Sequence, residues 1–209
     1  MKKIYILLFL IIINTSLTEG LKIKRADTLT QIGSSAEMIG IGNIEGFTQG
    51  SSVLLDNPAG LTRLSRYSFS LFSTNIINEI NYLAFSASTH TEYGQVGFGY
   101  MRAGSSGFLQ TQRQDTNDDN GTKPEGKEND IFIDVRSFNY IESELFLSFA
   151  KQLDRRSSWG ASLVFFNRNY GIAQGKGINF NLGLRKRLLG FDTSVTAKNI
   201  VPFLGLNYK

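Results

Sequence analysis

The chain has 209 residues, of which 41% are hydrophobic and 12% aromatic, with 21 glycines, no cysteine and a formal net charge of +4. It is too polar for a bundle of transmembrane helices, each of which needs about 20 consecutive, mainly apolar residues. The modest charge, without a clustered Lys/Arg stripe, argues against nucleic-acid binding. A membrane β-barrel is compatible with this composition, because its strands are apolar on one side only.

The first segment, MKKIYILLFLIIINTSLTEG, predicts a signal peptide over residues 1–20. Lys2 and Lys3 precede an apolar run from Ile4 to Ile13, and small polar residues follow it. A run of this length fits the roughly 7–15 apolar residues of a signal peptide and is too short to span a bilayer. A buried strand or helix at the start of a soluble domain is the alternative. Export without a spanning helix predicts a periplasmic, outer-membrane or extracellular protein.

The next segment, residues 21–65, is glycine-punctuated and does not alternate with a period of two. Near its end is the sequence Asn-Pro-Ala-Gly-Leu, here called the elbow (Asn57–Leu61). Pro58 fixes its own φ and biases Asn57 towards extended geometry, and Gly60 permits a left-handed turn. The pattern predicts a rigid turn placed directly before the first strand.

From Arg66 onward the hydrophobic period is two, which predicts an all-β, antiparallel fold of about eight strands over residues 66–209. In INFNLGL, for example, Ile178, Phe180 and Leu182 lie on one side and Asn179 and Asn181 on the other. The polar sides are rich in Ser, Gly and Asn rather than in Lys and Glu. This favours a transmembrane β-barrel with a crowded interior over a soluble sandwich, whose polar side faces bulk water.

Aromatic residues near the predicted strand ends are candidates for the girdles that flank the apolar band of a membrane barrel. They are Tyr67, Tyr82, Tyr93, Tyr100, Trp159 and Tyr170. Most predicted connections are short, whereas residues 102–130 form a long, polar, glycine-rich loop. Short turns at one end and a long loop at the other are typical of outer-membrane barrels.

No catalytic, metal or cofactor site is predicted. Residues 115–128, DTNDDNGTKPEGKE, do not match a calcium loop, because no frame places both Gly and Glu correctly. The single histidine, His90, has no cysteine partner for a metal site or a nucleophile. Glu142 and Glu144 share one side of a strand without a sign of acid–base chemistry. We therefore expect a protein that is not an enzyme and holds no cofactor.

The run SAEMIGIGNIEGFTQGSSVLLDNPAGL resembles the amino-terminal region of the FadL-like outer-membrane proteins, which include long-chain fatty acid transporters and PorV/PorQ-type proteins. In that superfamily a glycine-rich segment precedes an NPAGL-like motif, and the first strand follows at once. The segment INFNLGLRKRLLGFDTSVTAKNIVP resembles a recurring strand motif of the same proteins. The resemblance implies a fourteen-stranded barrel with residues 21–65 folded inside as a hatch. We expect Gly40, Gly42, Asn57, Pro58, Ala59 and Gly60 to act as conformational, gating elements of this hatch. The alternative is that these residues only build a turn beneath the barrel.

About eight strands are fewer than this family pattern requires, and the sequence ends within a strand-like run, FLGLNYK. We therefore expect the amino-terminal portion of a longer barrel, or a barrel completed elsewhere, and a partial or open sheet. The predicted function is transport of fatty-acid-like hydrophobic molecules across the bacterial outer membrane, with membrane lipid and a hydrophobic ligand as partners. The alternatives are a PorV-like secretion or assembly component that binds other proteins, and a secreted β-sandwich of adhesin type.

Overall fold

A computed structural model describes five stretches of the chain, which are residues 29–76, 79–114, 131–170, 173–200 and 203–208. The predicted signal peptide, residues 21–28 of the predicted hatch and residues 115–130 of the predicted loop lie outside these stretches.

The described residues from 67 onward form one antiparallel sheet. Its strands are β1 (Tyr67–Ile76), β2 (Ile80–Thr91), β3 (Gly94–Gln114), β4 (Ile131–Asp154), β5 (Ser157–Asn169), β6 (Ala173–Leu188), β7 (Phe191–Ala197) and β8 (Phe203–Tyr208). Strands β1 to β7 lie side by side in chain order, so each neighbour in the sheet is also a neighbour in sequence. The prediction of an all-β, antiparallel fold is confirmed.

Strands β7 and β8 share one edge of the sheet. Both pair with β6, with β7 opposite residues 182–188 and β8 opposite residues 173–178. The eight strands therefore occupy seven positions in a curled, half-barrel sheet. Within the described residues, β1 pairs only with β2 and the β7/β8 edge pairs only with β6, so the sheet is open, as predicted.

The turns at one end of the sheet are all tight. Strands β2 and β3, β4 and β5, and β6 and β7 are each joined by two residues, namely 92–93, 155–156 and 189–190. Leu189 and Gly190 both have positive φ values, 51° and 90°, which is the geometry of a type I′ hairpin turn. We call this end of the sheet the short-turn end.

The opposite end differs from the sequence-based expectation in one respect. Residues 102–114 of the predicted loop belong to β3, which pairs with β4 as far as Gln114 opposite Ile131. Glycine and polar residues suggested a loop there, but an antiparallel partner supplies the backbone hydrogen bonds that make such a sequence a strand.

The segment from residue 29 to residue 65 packs against one face of the sheet. It contains two short α-helices, α1 (Ala36–Gly40) and α2 (Val53–Asp56), and two 3-10 helices, Leu29–Ile32 and Pro58–Arg63. Its apolar residues join sheet residues in one core, which comprises Leu29, Val53, Leu54, Leu55, Leu61, Tyr82, Ala84, Met101, Ala103, Phe146, Ala150 and Val164. No helix in the described parts of the chain has the length and hydropathy needed to cross a bilayer.

Candidate functional site: the elbow and the two faces of the sheet

The two faces of the sheet differ in what covers them. Alternate residues point to the inner face, which carries the segment 29–65, and to the outer face, which no described part of the chain covers. Phe69 and Leu71 of β1 point outward and are 73% and 72% exposed, whereas Ser86 of β2 points inward and is buried. The period-two pattern read from the sequence is therefore confirmed.

Apolar side chains on the outer face line up across the strands. Two successive rows, defined by the strand register, are Phe69, Ala87, Phe98, Leu147, Leu163, Phe180 and Leu71, Phe85, Tyr100, Leu145, Phe165, Ile178. The row nearer the short-turn end is also mainly apolar, with Tyr67, Val96, Phe149, Ala161 and Leu182. We call these three rows the apolar band.

The apolar band stops abruptly away from the short-turn end. The next outward row reads Ser73, Leu83, Arg102, Ser143, Asn167, Lys176, and the row after it reads Asn75, Asn81, Gly104, Ile141, Asn169, Gln174. Only Leu83 and Ile141 are apolar in these two rows. On one strand, β5, a single residue separates the exposed Phe165 from the exposed Asn167.

The elbow lies against the inner face where β5, β6 and β7 meet. Asn57 is fully buried and has extended geometry, as the proline after it predicts. Its side-chain Oδ1 accepts a hydrogen bond from the backbone N–H of Ala59 at 2.9 Å, which caps the 3-10 helix. Its Nδ2 donates to Ser194 Oγ at 2.7 Å, with Val195 O at 3.3 Å. One side chain thus shapes the elbow and attaches it to β7.

Two glycines form the surface on which the elbow rests, and we call them the glycine seat (Gly160 and Gly183). They are register partners on β5 and β6. A Cβ atom at Gly160 would lie 2.5 Å from Ala59 N and from Pro58 C, and one at Gly183 would overlap the Asn57 side chain. Only glycine lets the elbow backbone approach the sheet so closely.

The residues before the elbow pack against a second pair of inward-facing glycines. Helix α2 places Leu54 and Leu55 over Gly97 and Gly99 of β3, where a Cβ would lie 2.6–2.8 Å from the leucine methyls. Ser51 donates from Oγ to Ser86 O at 3.0 Å. The glycines and serines of the inner face therefore accommodate the segment 29–65.

The structure places the six predicted site residues at two separate locations. Asn57, Pro58, Ala59 and Gly60 lie together and buried, whereas Gly40 and Gly42 are exposed near the end of α1. Cβ atoms at Gly40 and Gly42 would have nothing within 4 Å, although Gly42 has φ 77°. Gly40 and Gly42 do not contribute to the elbow contact.

Gly60 has a different structural role from the predicted left-handed turn. It is not among the glycines with positive φ, so the turn does not require its conformational freedom. A Cβ at Gly60 would instead overlap Cγ2 of Val53 in α2. The sequence position demands glycine because two short helices pack against each other there.

A buried carboxylate precedes the elbow. Asp56 is 1% exposed, and burial raises the pKa of its carboxyl to about 7, although the neighbouring Ser34 hydroxyl and the Lys198 ammonium oppose that rise. Lys198 also forms an ion pair with Glu45, which attaches the segment 29–65 to the residues after β7. A protonatable group therefore lies within the contact between the segment and the sheet.

A second charged group lies inward on β4 and β5. Arg168 Nε is 2.9 Å from Glu142 Oε1, and its Nη2 is 3.4 Å from Glu144 Oε1. Tyr140 donates from its hydroxyl to Glu142 Oε2 at 2.8 Å, and Tyr170 donates to Glu142 Oε1. The two glutamates do share one side of the strand, and this group is a buried, hydrogen-bonded ion-pair cluster.

The prediction of a girdle position is wrong for two of the six aromatic residues, Tyr82 and Tyr170, which point to the inner face. Tyr170 binds Glu142, and the inward Tyr82 is 1% exposed and donates to Gly33 O at 2.9 Å. Both tyrosines have hydroxyl partners on the inner face, whereas Tyr67 and Tyr93 are exposed.

The sequence alone did not identify Gly160, Gly183 or Ser194 as partners of the elbow. The available signal was weak, because glycine within a strand often marks a close backbone approach. Within the described stretches, no group of three or more His, Cys, Asp or Glu side chains is placed to hold a metal ion. Comparisons of the chain with protein-family models, with curated proteins and with solved structures find no match.

Proposed function

We propose that the chain is an outer-membrane β-barrel protein of the FadL-like type, in which residues 21–65 are a hatch and hydrophobic small molecules are transported. The observation that carries the proposal is the sidedness of the sheet. Large apolar side chains point away from the packed core in three successive rows, whereas the inner face combines glycines, serines and asparagines with the apolar residues that contact the amino-terminal segment. A soluble sheet with one solvated face carries polar side chains on that face.

The apolar band supports contact with lipid. Soluble monomers rarely expose a contiguous apolar patch larger than a few hundred Å², whereas this band continues over six strands. On β6 the band runs from Ile178 to Leu182, and the exposed Leu184 continues it, so that the apolar stretch is about 20 Å long at ~3.3 Å per residue. The outward apolar band of an outer-membrane barrel is ~25 Å tall. Its abrupt polar limit at Asn167 and Lys176 fits a membrane–water boundary.

The position of the elbow supports the hatch. Asn57 and Pro58 occupy the inner face of the sheet, so a molecule that moves along this face has to displace them or pass beside them. The protonatable Asp56 and the ion pair between Lys198 and Glu45 lie in the same contact. Transport in this proposal proceeds by a rearrangement of the segment 29–65, without chemical change of the ligand.

The experiment compares two substitutions on one strand. Leu163 and Asn167 both point outward on β5, but Leu163 lies in the middle of the apolar band and Asn167 in the polar row. Arginine at the bilayer midplane of a barrel costs about 2–4 kcal/mol, whereas near the interface it costs about 0–1 kcal/mol. We expect Leu163→Arg to abolish most of the membrane-inserted, heat-modifiable protein and Asn167→Arg to leave its amount unchanged.

Equal membrane yields of the two variants, or release of the native protein by a salt wash without detergent, would show that the band does not contact lipid. Transport is tested separately, by uptake of a fluorescent long-chain fatty acid into cells that produce the protein. If membrane insertion is normal but uptake is no higher than in cells that lack the protein, the transport proposal is wrong. The outer-membrane proposal is unaffected by that result.

A secretion or assembly role, as in PorV-like proteins, is favoured by one other observation. Strands β3 and β4 continue far beyond the last apolar row and stay paired as far as Gln114 opposite Ile131. Such a hairpin would project from the membrane surface as a platform for a protein partner. Crosslinking from Asn139, replaced by a photoreactive residue, would then capture a partner protein in cells, whereas fatty-acid uptake would be absent.

A further inference from the structure

A pocket at the short-turn end collects basic side chains from three parts of the chain. Arg63 comes from the end of the second 3-10 helix, Arg156 from the turn between β4 and β5, and Arg185, Lys186 and Arg187 from the end of β6. We call it the basic pocket. Its volume is about 130 Å³, room for a few water molecules at about 30 Å³ each.

The carboxylate in this pocket is already engaged. Asp192 binds Arg63 through two hydrogen bonds, from Nη1 at 3.1 Å and from Nη2 at 2.8 Å, which is a bidentate ion pair. Among the described residues, no carboxylate forms an ion pair with Arg156, Arg185 or Arg187. The pocket therefore carries an excess of positive charge.

Arg185 is the residue that points to a ligand. It is only 6% exposed, its guanidinium lies 5.1 Å from the centre of the Phe47 ring, and its Nε has no hydrogen-bond partner among the described residues. A buried guanidinium donor without an acceptor is costly. Arg185 also lines the basic pocket, so an anion there would neutralise its charge and offset the repulsion between Arg185 and Arg63.

The groups lining the pocket fit a phosphate-type oxyanion. Guanidinium groups bind such anions through paired N–H donors. The hydroxyls of Thr62, Ser157 and Thr193 line the same space but already donate to Ala59 O, Asp154 Oδ2 and Lys186 O, so the basic side chains are the donors for an anion. We propose that the basic pocket is a binding site for a compact phosphate-type oxyanion, supplied either by free phosphate or by the headgroup of an anionic phospholipid. The site adjoins the elbow, because Ser158 lines the pocket and donates to Ala59 O at 3.1 Å, but it does not depend on transport.

The test uses the full chain purified in dodecyl maltoside, with two probes. Inorganic phosphate is titrated by calorimetry, and phosphatidylglycerol in mixed micelles is compared with phosphatidylcholine. Arg185→Gln is expected to raise the Kd of the probe at least tenfold, as loss of a charged hydrogen-bond donor does. Lys176→Gln, at an exposed outward position on the same strand but near its opposite end, serves as the control in the phosphate titration and should leave the Kd for phosphate unchanged.

A double substitution, Arg156→Gln with Arg187→Gln, removes charge from the turn and the strand end. It keeps the test valid if Arg185→Gln fails to fold. If the protein binds inorganic phosphate and both sets of variants weaken that binding, the ligand is a free anion. If the protein binds phosphatidylglycerol but not inorganic phosphate, the ligand is a lipid headgroup. Binding that is absent, or that Lys176→Gln weakens as much, overturns the proposal. Binding of a poly-glutamate peptide without either phosphate probe also overturns it.

Discussion

The contact between the elbow and the glycine seat can be broken by one methyl group. In Gly160→Ala the new Cβ would lie 2.5 Å from Ala59 N and Pro58 C, which are backbone atoms and cannot rotate away. The elbow must shift, and overpacking of this kind costs about 1–3 kcal/mol. The shift also strains the Asn57 bonds to Ser194 and Ala59, each worth about 0.5–1.5 kcal/mol net. The contact should therefore weaken by about 2–6 kcal/mol.

The absence of cysteine in the chain provides the assay. Ser52, just before α2, is 2% exposed, so a Ser52→Cys reporter reacts with a maleimide only when the elbow region opens. A loss of 2 kcal/mol raises the open population about 30-fold, and we expect at least this increase in labelling rate in Gly160→Ala. The measurement is made on folded protein in detergent.

Gly104→Ala is the matched control for this prediction. Gly104 lies in β3 on the outer face, and a Cβ there would meet nothing closer than 3.4 Å. Gly104→Ala causes the same change in backbone conformational entropy as Gly160→Ala, but without a clash between the new Cβ and neighbouring atoms. Labelling rates that are equal in the two variants would refute the reasoning, because the elbow would then not depend on the seat.

Three further predictions concern polar groups of the inner face. Asn57→Ala removes both the side-chain cap on the Ala59 N–H and the hydrogen bond to Ser194. It should therefore lower the free energy of unfolding in urea by about 2–4 kcal/mol. A loss below 0.5 kcal/mol would contradict this prediction. The pKa of Asp56 is raised in the folded protein from 3.8 to about 7, so the protonated form favours folding. The contribution of this carboxyl to stability is therefore greatest below about pH 4 and is lost as the pH rises to about 7, by about 4 kcal/mol at ~1.36 kcal/mol per pKa unit. Asp56→Asn should abolish this component and be more stable than the native protein at pH 8, and an unchanged pH dependence would refute it. Arg168→Met leaves the carboxylates of Glu142 and Glu144 buried together and should lower the free energy of unfolding by about 3–5 kcal/mol in the same urea assay. Arg168→Lys should recover part of this loss. A loss below 1 kcal/mol in Arg168→Met would argue against the ion-pair cluster.

Local sequence was sufficient for the strands and their faces. The alternation of Ile178, Phe180 and Leu182 with Asn179 and Asn181 is a property of adjacent residues, because successive side chains of any strand point to opposite faces. The extended geometry of Asn57 was likewise fixed by the proline that follows it.

The length of β3 could not be read in the same way. Residues 102–114 have the composition of a loop, and they form a strand because β4 pairs with them. Pairing energy depends on the partner strand, which periodicity within one segment does not reveal.

What the sequence determined by itself, then, is the alternation that sorts apolar from small polar side chains, and the short turns that keep successive strands adjacent. Only the tertiary structure decided that Gly160 and Gly183 receive the elbow, that Tyr82 points inward, and that Arg63 meets Arg185 at the short-turn end. These contacts join residues far apart along the chain. They depend on strand register and on where residues 29–65 pack, and local propensity encodes neither.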